Sequence, residues 1–169
     1  MDFREIGATD VGALQTLLES VSDYSQRVTG SPTGPSDALS ALRAVPPDRT
    51  VDDKFDIGMW DGHQLVAFAD VVRGYPAEDI AYIGLLIVDG CQQGRGLGRG
   101  LHGELLRVAS GWAGIRRMRL SIVATNASRA DPFWWALGYR PTGEVRPYQY
   151  DSVDSAVALW ERPLRTEVG

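Results

Sequence analysis

The residues with the clearest chemical potential lie in a glycine-rich segment, VDGCQQGRGLGRG at positions 88–100. Glycine weakens a helix by up to about 1 kcal/mol, so four glycines between Gly94 and Gly100 indicate positive φ angles or a close approach to the backbone. A helix N-terminus has unpaired N–H groups and a partial positive charge, and Arg95 and Arg99 add full charges. The pattern predicts a pyrophosphate cradle, with a plain chain-reversing turn as the alternative.

Two other phosphate-binding motifs fit this segment poorly. Residues 98–103, GRGLHG, match G-x-G-x-x-G. A dinucleotide fold, however, needs this motif directly at the strand end and an acidic residue about 20 positions later. Here Gly98 lies ten residues beyond Val88, and no acidic residue stands near the required position. The Walker pattern ends in Lys and Ser or Thr, and the only lysine of the chain is Lys54. Both nucleotide interpretations are therefore weak.

The flanking segments predict the elements that position this loop. Ile80 to Val88 is almost wholly apolar, as in a strand buried on both faces, and Leu97 to Trp112 carries one apolar helical stripe. Asp61-Gly62 predicts a hairpin. Further strands are predicted at 3–6, 55–60, 64–72, 119–124, 139–145 and 156–160, and further helices at 10–21, 37–44 and 128–136. This order predicts one α/β domain over residues 1–169, with a mixed, mostly antiparallel sheet flanked by helices.

Composition excludes several classes of protein. The 169 residues carry a net charge of −5, whereas general nucleic-acid binders have a basic face. Cys91 is the only cysteine, so no internal disulfide can form. The N-terminus lacks a signal-peptide pattern, and no apolar stretch approaches the roughly 20 residues of a membrane span. We expect a soluble, cytoplasmic protein with no nucleic-acid, membrane or metal partner.

Residues 93–98, QGRGLG, resemble the Q/R-x-x-G-x-G/A motif of the GNAT acyltransferase superfamily, placed after a Val-Asp pair that closes a buried strand. A second block, NASRADPFWWALGY at 126–139, looks like the family's next motif, in which an Asn, an Ala, an aromatic pair and a final Gly-Phe/Tyr recur. The resemblance covers residues 55–162 well and the first fifty only by element order. It implies the acyl-CoA N-acyltransferase fold, with a parallel, splayed strand pair at its centre.

The resemblance also implies the donor and its contacts. The donor would be acetyl-CoA or another short acyl-CoA, and the acceptor amine would attack its thioester directly, without an acyl-enzyme. The backbone of Leu86, Ile87 and Val88 would pair with the pantetheine arm, and Asn126 and Trp134 would lie near the pantetheine or acyl end. The residues implied at the pyrophosphate are Gln93, Gly94, Arg95, Gly96, Leu97, Gly98 and Arg99.

Amine acylation needs a group that accepts the amine's proton and a donor for the leaving thiolate. Many relatives use a tyrosine four residues before the final glycine; here that position is Trp134, so Tyr139 or a water is the expected substitute. Some relatives carry a glutamate where this chain has Tyr82. Strand alternation would place Glu78 and Tyr82 on one face, which makes both candidates for steering the proton. Alternatively, Glu78 is a surface charge and Tyr82 a core aromatic residue.

The acceptor pocket is expected from Val21 to Asp53 and at the turn near Tyr75. Acidic residues of this segment and Tyr24 could recognise a cationic amine, or the segment could be a solvated acidic loop. A small-molecule amine or antibiotic is favoured over a peptide amine as acceptor. The alternative function is a non-catalytic acyl-CoA sensor or partner-binding module, which Trp134 in place of tyrosine keeps open. Dimers are common among relatives, and a homodimer is compatible with this sequence.

Overall fold

The computed structural model describes residues 1–164, so the last five residues of the predicted domain lie outside the described part. The strands are β1 (Asp2–Glu5), β2 (Lys54–Asp61), β3 (Gln64–Arg73), β4 (Ile80–Val88), β5 (Arg117–Val123), β6 (Arg140–Tyr150) and β7 (Val153–Pro163). The α-helices are α1 (Val11–Ser20), α2 (Ser22–Thr29), α3 (Asp37–Arg43), α4 (Leu97–Ser110) and α5 (Ala127–Ala136). Among these described residues, no helix is long and apolar enough to cross a membrane.

The seven strands form one mixed sheet in the order β1-β2-β3-β4-β5-β7-β6. Every neighbouring pair is antiparallel except β4 and β5. The parallel pair matches in register only at Ile80 with Arg117, Ala81 with Met118 and Tyr82 with Arg119. Beyond Tyr82 the two strands diverge. The mixed, mostly antiparallel sheet with a splayed parallel pair is therefore confirmed.

A β-bulge interrupts β4 where the splay begins. Asp70 of β3 pairs with Leu85, and the next residue, Val71, pairs with Ile83, so Gly84 is the extra residue on β4. A bulge shifts the alternation of side chains and increases the local twist. It therefore helps to turn β4 away from β5 at the level where the cleft opens.

Helices cover both faces of the sheet because each has one apolar stripe. On one face, α4 buries Leu101 and Leu105 fully against the central strands. On the other face, α1 buries Leu14 and Leu17 against Phe68 of β3 and neighbouring residues. The loop between β4 and α4 lies at the open end of the splayed pair.

Helix α2 and the length of the last two strands differ from the predicted elements. The segment 22–29 is mostly polar apart from Tyr24 and Val28, yet it is helical, with an Asp23–Arg27 ion pair of 2.9 Å one turn apart and Gly30 in the left-handed conformation at its end. Strands β6 and β7 extend several residues beyond the predicted 139–145 and 156–160 because they form one long antiparallel hairpin.

Candidate functional site in the cleft between the splayed strands

A cleft of 570 Å³ fills the gap between the diverging strands. Its walls are residues 83–88 of β4 and residues 120–123 of β5. One end is closed by the loop that leads into α4, and the other side is covered by α2 and α5. The main chains of the splayed strands thus face the cleft instead of each other, which leaves their polar groups available to a ligand.

Asp89 fixes the first turn of the loop. Its side chain is almost fully buried and accepts a hydrogen bond from the Cys91 amide at 2.8 Å, while its carbonyl accepts one from the Gln92 amide at 2.9 Å. A short acidic side chain that bonds to the backbone two residues on is a standard turn-forming device. This turn directs the chain from the end of β4 toward the helix start.

Two glycines then take conformations that other residues rarely adopt. Gly94 has φ +78° and Gly96, the residue before α4, has φ +83°. The Gly100 amide donates to the Gly96 carbonyl at 3.1 Å, so the amides of Leu97, Gly98 and Arg99 precede the first intrahelical bond and have no intrahelical acceptor. These amides and the helix dipole form the anion site that the sequence predicts.

Gly98 serves a different purpose, which is close packing. It is buried, and a Cβ added there would lie 3.0 Å from the Phe133 ring of α5 and 3.5 Å from Val88. The start of α4 can therefore approach the end of β4 and the α5 helix closely. This contact fixes the free amides at the open end of the cleft.

The structure brings together almost all of the residues predicted to bind the acyl donor. Those that line the cleft are Leu86, Ile87, Val88, Gln93, Gly94, Gly96, Leu97, Gly98, Arg99, Asn126 and Trp134. Arg95 is the exception, since it is exposed and does not line the cleft. Ser121, Arg129 and Phe133 also line it and were not singled out from the sequence. Arg129 and Phe133 lie inside the NASRADPFWWALGY block, which was the available signal for them.

Trp134 forms part of the wall of the cleft. It is 8% exposed, lines the cleft, and packs edge-on against Phe133, Tyr139 and His102, with ring centroids 4.9, 5.1 and 5.9 Å away. An indole at this position shapes an apolar wall, and it supplies no acid for the thiolate.

The structure does not bring Tyr139, the expected substitute acid, to the cleft. Its side chain is fully buried, and its hydroxyl bonds to His102 Nε2 at 2.8 Å. Burial raises the pKa of Tyr139 above its ordinary value. Burial, together with the positive charges of Arg162 and Arg99, lowers the pKa of His102 to about 4. The two side chains form a neutral, internal pair packed against Trp134, and neither lines the cleft.

Glu78 and Tyr82, the two residues expected to steer the proton, do not share a face. Strand β4 begins only at Ile80, and Glu78 lies exposed in the turn before it, outside the cleft. Tyr82 is half-buried within β4, and its hydroxyl forms a hydrogen bond with that of Ser121, which lines the cleft. Burial raises the pKa of Tyr82, although the Ser121 hydroxyl opposes this effect. Tyr82 thus reaches the edge of the cleft, whereas Glu78 does not.

Helix α2 closes the side of the cleft opposite α4. Tyr24 and Arg27 line this side. Arg27 Nε donates to Asn126 Oδ1 at 2.8 Å, and Thr125 Oγ1 donates to the Arg27 carbonyl at 2.6 Å. The end of β5 is therefore attached to α2 by side chains, and Asn126 is held in place by Arg27.

The β6–β7 hairpin is also attached to α2. The Tyr148 hydroxyl donates to the Val28 carbonyl at 2.7 Å, and Ser31 Oγ donates to Asp151 Oδ2 at 3.0 Å. A Cβ at Gly30 would overlap Ser152 in the hairpin turn. Helix α2 and this turn form a continuous cover, which we call the α2–hairpin cover.

One buried carboxyl group near the cleft was missed by the sequence interpretation. Asp70, on β3, is only 7% exposed. Burial is the main reason that the pKa of Asp70 is raised to about 7, and the charge of Asp56 adds to the rise. The charge of Lys54 and a hydrogen bond from the Gly84 backbone oppose it. The available signal was its place in the run AFADVV, where a single acidic residue interrupts an apolar central strand.

The comparisons with known proteins agree with this geometry. A gap between parallel strands, with a glycine-rich helix start at its open end, defines an acyl-CoA-binding fold. The chain belongs to the Acetyltransferase (GNAT) family, whose model matches residues 23–139. No curated protein sequence matches it significantly. Throughout residues 1–164, no three His, Cys, Asp or Glu side chains are grouped closely enough to hold a metal ion.

Several solved structures share the fold. An acetyltransferase from Thermus thermophilus is 24% identical, with a TM-score of 0.70 over 96% of each chain. The ribosomal-protein-S18-alanine N-acetyltransferase from Escherichia coli is 19% identical, with a TM-score of 0.69 over 96% of this chain and 93% of its own. An aminoglycoside 6'-N-acetyltransferase solved with coenzyme A is 16% identical, with a TM-score of 0.70 over 98% of each chain. Identities this low establish a common fold and leave the acceptor open.

Proposed function

We propose that this protein transfers an acetyl or other short acyl group from its CoA thioester to a primary amine. The observation that carries this proposal is the cleft itself. It combines diverging strands whose backbones face a ligand with free amides at the start of α4. A long, thin donor with a pyrophosphate at one end and a thioester at the other matches this shape. Membership in the GNAT acetyltransferase family supports the same chemistry.

The donor would enter with its pyrophosphate at the amides of Leu97, Gly98 and Arg99. Its pantetheine arm would then run along β4 beside Leu86 and Val88, as an additional strand would. This placement puts the thioester at the narrow end of the splay, near Tyr82 and Ser121. Contacts through the main chain depend little on side-chain identity, so they suit a donor common to many family members.

Transfer by direct attack is favoured over an acyl-enzyme. Cys91 is the only cysteine, and it is exposed and does not line the cleft. A covalent route needs a nucleophile with an adjacent base. Among the described residues that line the cleft, the hydroxyl of Ser121 is bonded to Tyr82 instead of to a histidine or carboxylate. The amine would therefore attack the thioester carbonyl itself.

A small amine is favoured over an extended peptide because of the α2–hairpin cover. The bonds from Tyr148 to Val28 and from Ser31 to Asp151 hold the hairpin turn against α2, which itself lines the cleft. A peptide lying across this cover would have to break both bonds, whereas a small amine needs only the space beneath them. A cytoplasmic location and a homodimer stay predictions of the sequence.

A thiol-release assay tests the proposal. Purified protein is mixed with acetyl-CoA and, one at a time, an aminoglycoside, a polyamine, an amino acid and a short peptide with a free N-terminus. We expect release of free CoA with at least one small amine, together with a product heavier by one acetyl group in mass spectrometry. Tight acetyl-CoA binding without release on any amine would instead favour the acyl-CoA sensor.

A further inference from the structure

The chemistry of the proposed function requires a base that the family positions do not supply here. An amine is mostly protonated near neutral pH, and its ammonium form cannot attack a carbonyl. Tyr82 occupies the position of the glutamate found in some relatives, and burial raises its pKa, so it holds its proton. Asp23 lines the cleft, but its side chain is 66% exposed and is bound to Arg27.

Asp70 lies on the acceptor side of the sheet. Strand alternation places it on the same face as Phe68, which packs in the cluster beneath α1. Tyr82 lies on this face too, because its neighbours Ala81 and Ile83 belong to the opposite cluster. Burial is the main cause of the raised pKa of Tyr24 and of Tyr82, and the negative charge of Asp70 adds to the rise in both. Asp70 thus lies on the face of the sheet that carries these two tyrosines, of which Tyr24 lines the cleft.

Gly84 provides the opening between this carboxyl group and the cleft. Gly84 lines the cleft and is exposed, and a Cβ added there would overlap Asp70 Oδ1. Gly84 does not have a positive φ, so the backbone conformation does not require glycine at this position. The missing side chain leaves a carboxylate oxygen beside the exposed main chain of the bulge.

The charged and titratable groups around Asp70 come from four elements, β1, β2, β4 and α2. Lys54 and Asp56 of β2 form an ion pair of 3.4 Å, and the Lys54 ammonium also donates to the Ala41 carbonyl. Burial raises the pKa of Asp56, Lys54 opposes this rise, and the charge of Glu5 adds to it. On the cleft side, the neighbours are the phenols of Tyr24 and Tyr82. Lys54 is thus the strongest charge that opposes the raised pKa of Asp70, and Asp70 shares it with Asp56.

We propose that Asp70 is the general base of the acyl transfer, reached by the acceptor amine through the gap that Gly84 leaves in β4. The assignment rests on the proposed function. The Asp70 carboxylate accepts one proton from the ammonium group, and the neutral amine nitrogen forms a bond to the thioester carbon. The carbon–sulfur bond then breaks, and the thiolate takes the second proton from that nitrogen. The products are the amide and free CoA, and Asp70 returns its proton to solvent.

The first test compares Asp70→Asn with wild type across pH 5 to 9, using the fastest amine of the panel. General bases contribute about 10²–10⁴-fold, so we expect kcat/KM to fall by about 100-fold or more. Wild-type kcat/KM should rise with pH and level off above about 7, because only the ionised carboxylate accepts a proton, whereas the variant should show no levelling near 7 and keep rising toward the pKa of the amine itself. Acetyl-CoA affinity by calorimetry should be unchanged. Asp154→Asn, an exposed strand residue outside the cleft, serves as the matched control.

Thermal stability separates a base from a structural residue. The pKa of Asp70 is raised to about 7 in the folded protein, so its contribution to stability is present at low pH and is lost as pH rises through 7. Asparagine carries no charge at any pH, so Asp70→Asn avoids the cost of a buried ionised carboxylate. The variant should therefore melt about 3 °C or more above wild type at pH 8. A structural carboxylate gives the reverse result, since its loss destabilises the fold. A variant that is more stable yet less active therefore identifies a functional residue.

Gly84→Ala provides a second route to the same conclusion. It keeps the Asp70 charge but fills the gap, and we expect kcat/KM to fall about tenfold or more with acetyl-CoA affinity retained.

A fluorinated analogue of the chosen amine, whose ammonium is more acidic, should lose less activity in Asp70→Asn. Asp70→Asn activity within about twofold of wild type, or melting below wild type at pH 8, would overturn the assignment of Asp70. No thiol release by the wild type on any amine would contradict the proposed function itself.

Discussion

The two halves of the cleft are built by different means. The half proposed to hold the donor consists of a strand end, a glycine-rich turn and a helix start that are contiguous in the chain, from Leu86 to Arg99. Its binding groups are main-chain amides. The half proposed to hold the acceptor combines elements that are distant in the chain: Tyr24 of α2 and Gly84 of β4 line the cleft, and Asp70 of β3 lies behind Gly84.

This difference separates what a family shares from what a member varies. Main-chain amides at a helix start bind a pyrophosphate whatever the surrounding side chains are, provided that glycine occupies the left-handed positions. An acceptor site made of side chains on separate elements can change by single substitutions. We therefore expect substitutions in the first half to alter acetyl-CoA affinity, and substitutions in the second half to alter turnover and leave that affinity intact.

Gly96→Ala should give the largest effect in the donor half. A residue with a Cβ in the left-handed conformation costs about 1–2 kcal/mol, and Gly96 has φ +83°. We expect a loss of about 1–2 kcal/mol in unfolding free energy and an acetyl-CoA Kd about tenfold higher, because the amides after Gly96 lose their alignment. Urea unfolding and calorimetry measure the two quantities.

The control for Gly96→Ala lies in the same helix. Gly103 is exposed, has no positive φ, and has open space around a Cβ. Gly103→Ala should leave acetyl-CoA affinity unchanged and stabilise the protein by up to about 1 kcal/mol, since alanine is the better helix former. Equal effects of the two substitutions on Kd would show that the left-handed turn is not what aligns the amides.

Tyr82→Phe should have an intermediate effect, and in the acceptor half. It removes the hydroxyl that bonds to Ser121 at the edge of the cleft. Because a single hydrogen bond contributes about 0.5–1.5 kcal/mol net, we expect kcat/KM to fall up to about tenfold, with acetyl-CoA affinity retained. Tyr150→Phe, on an exposed tyrosine of β6, is the matched control. An equal loss of acetyl-CoA affinity would place Tyr82 in the donor half and contradict the separation of the cleft into a donor half and an acceptor half.

Arg99→Gln should give the smallest effect. Arg99 lines the cleft, whereas Arg95 does not, although both arginines are exposed and flank the same glycines. An exposed ion pair contributes about 0.2–1 kcal/mol, so we expect a two- to fivefold higher acetyl-CoA Kd in low salt and less difference at high salt. Arg95→Gln should change Kd by less than about twofold. The opposite ranking would indicate that the donor enters on the Arg95 side.

The donor half could be predicted from the sequence because the patterns that indicate it are local. The apolar run before Val88, the glycines at alternate positions and the stripe on α4 all lie within one stretch of chain. Each signal corresponds directly to a conformation, such as the positive φ of Gly94 and Gly96. Most of the fold followed in the same way, since every predicted strand and helix is present in the predicted order and, of the α-helices, only α2 was not predicted.

The acceptor half was harder to predict from the sequence because it depends on pairing between segments that are distant in the chain. Asp70 meets Gly84 only through the register of β3 on β4 and the bulge within it. Helix α2 has only a short apolar side, Tyr24 and Val28, and it is further stabilised by an ion pair and by the hairpin bonded to it. The position of Tyr139 at the end of the NASRADPFWWALGY block suggested a residue of the site, but its burial against His102 depends on core packing, which the block does not reveal.

The short register between β4 and β5 has a thermodynamic consequence. Backbone pairing joins the four strands β1 to β4 to the three strands β5 to β7 along a seam of only three residue pairs. Past that seam, a donor bound along β4 as proposed would extend the sheet, so it would act as a removable piece of secondary structure. By linkage, the free energy of unfolding would then follow the donor supply, rising by about 2.7 kcal/mol at a concentration of roughly 100 Kd.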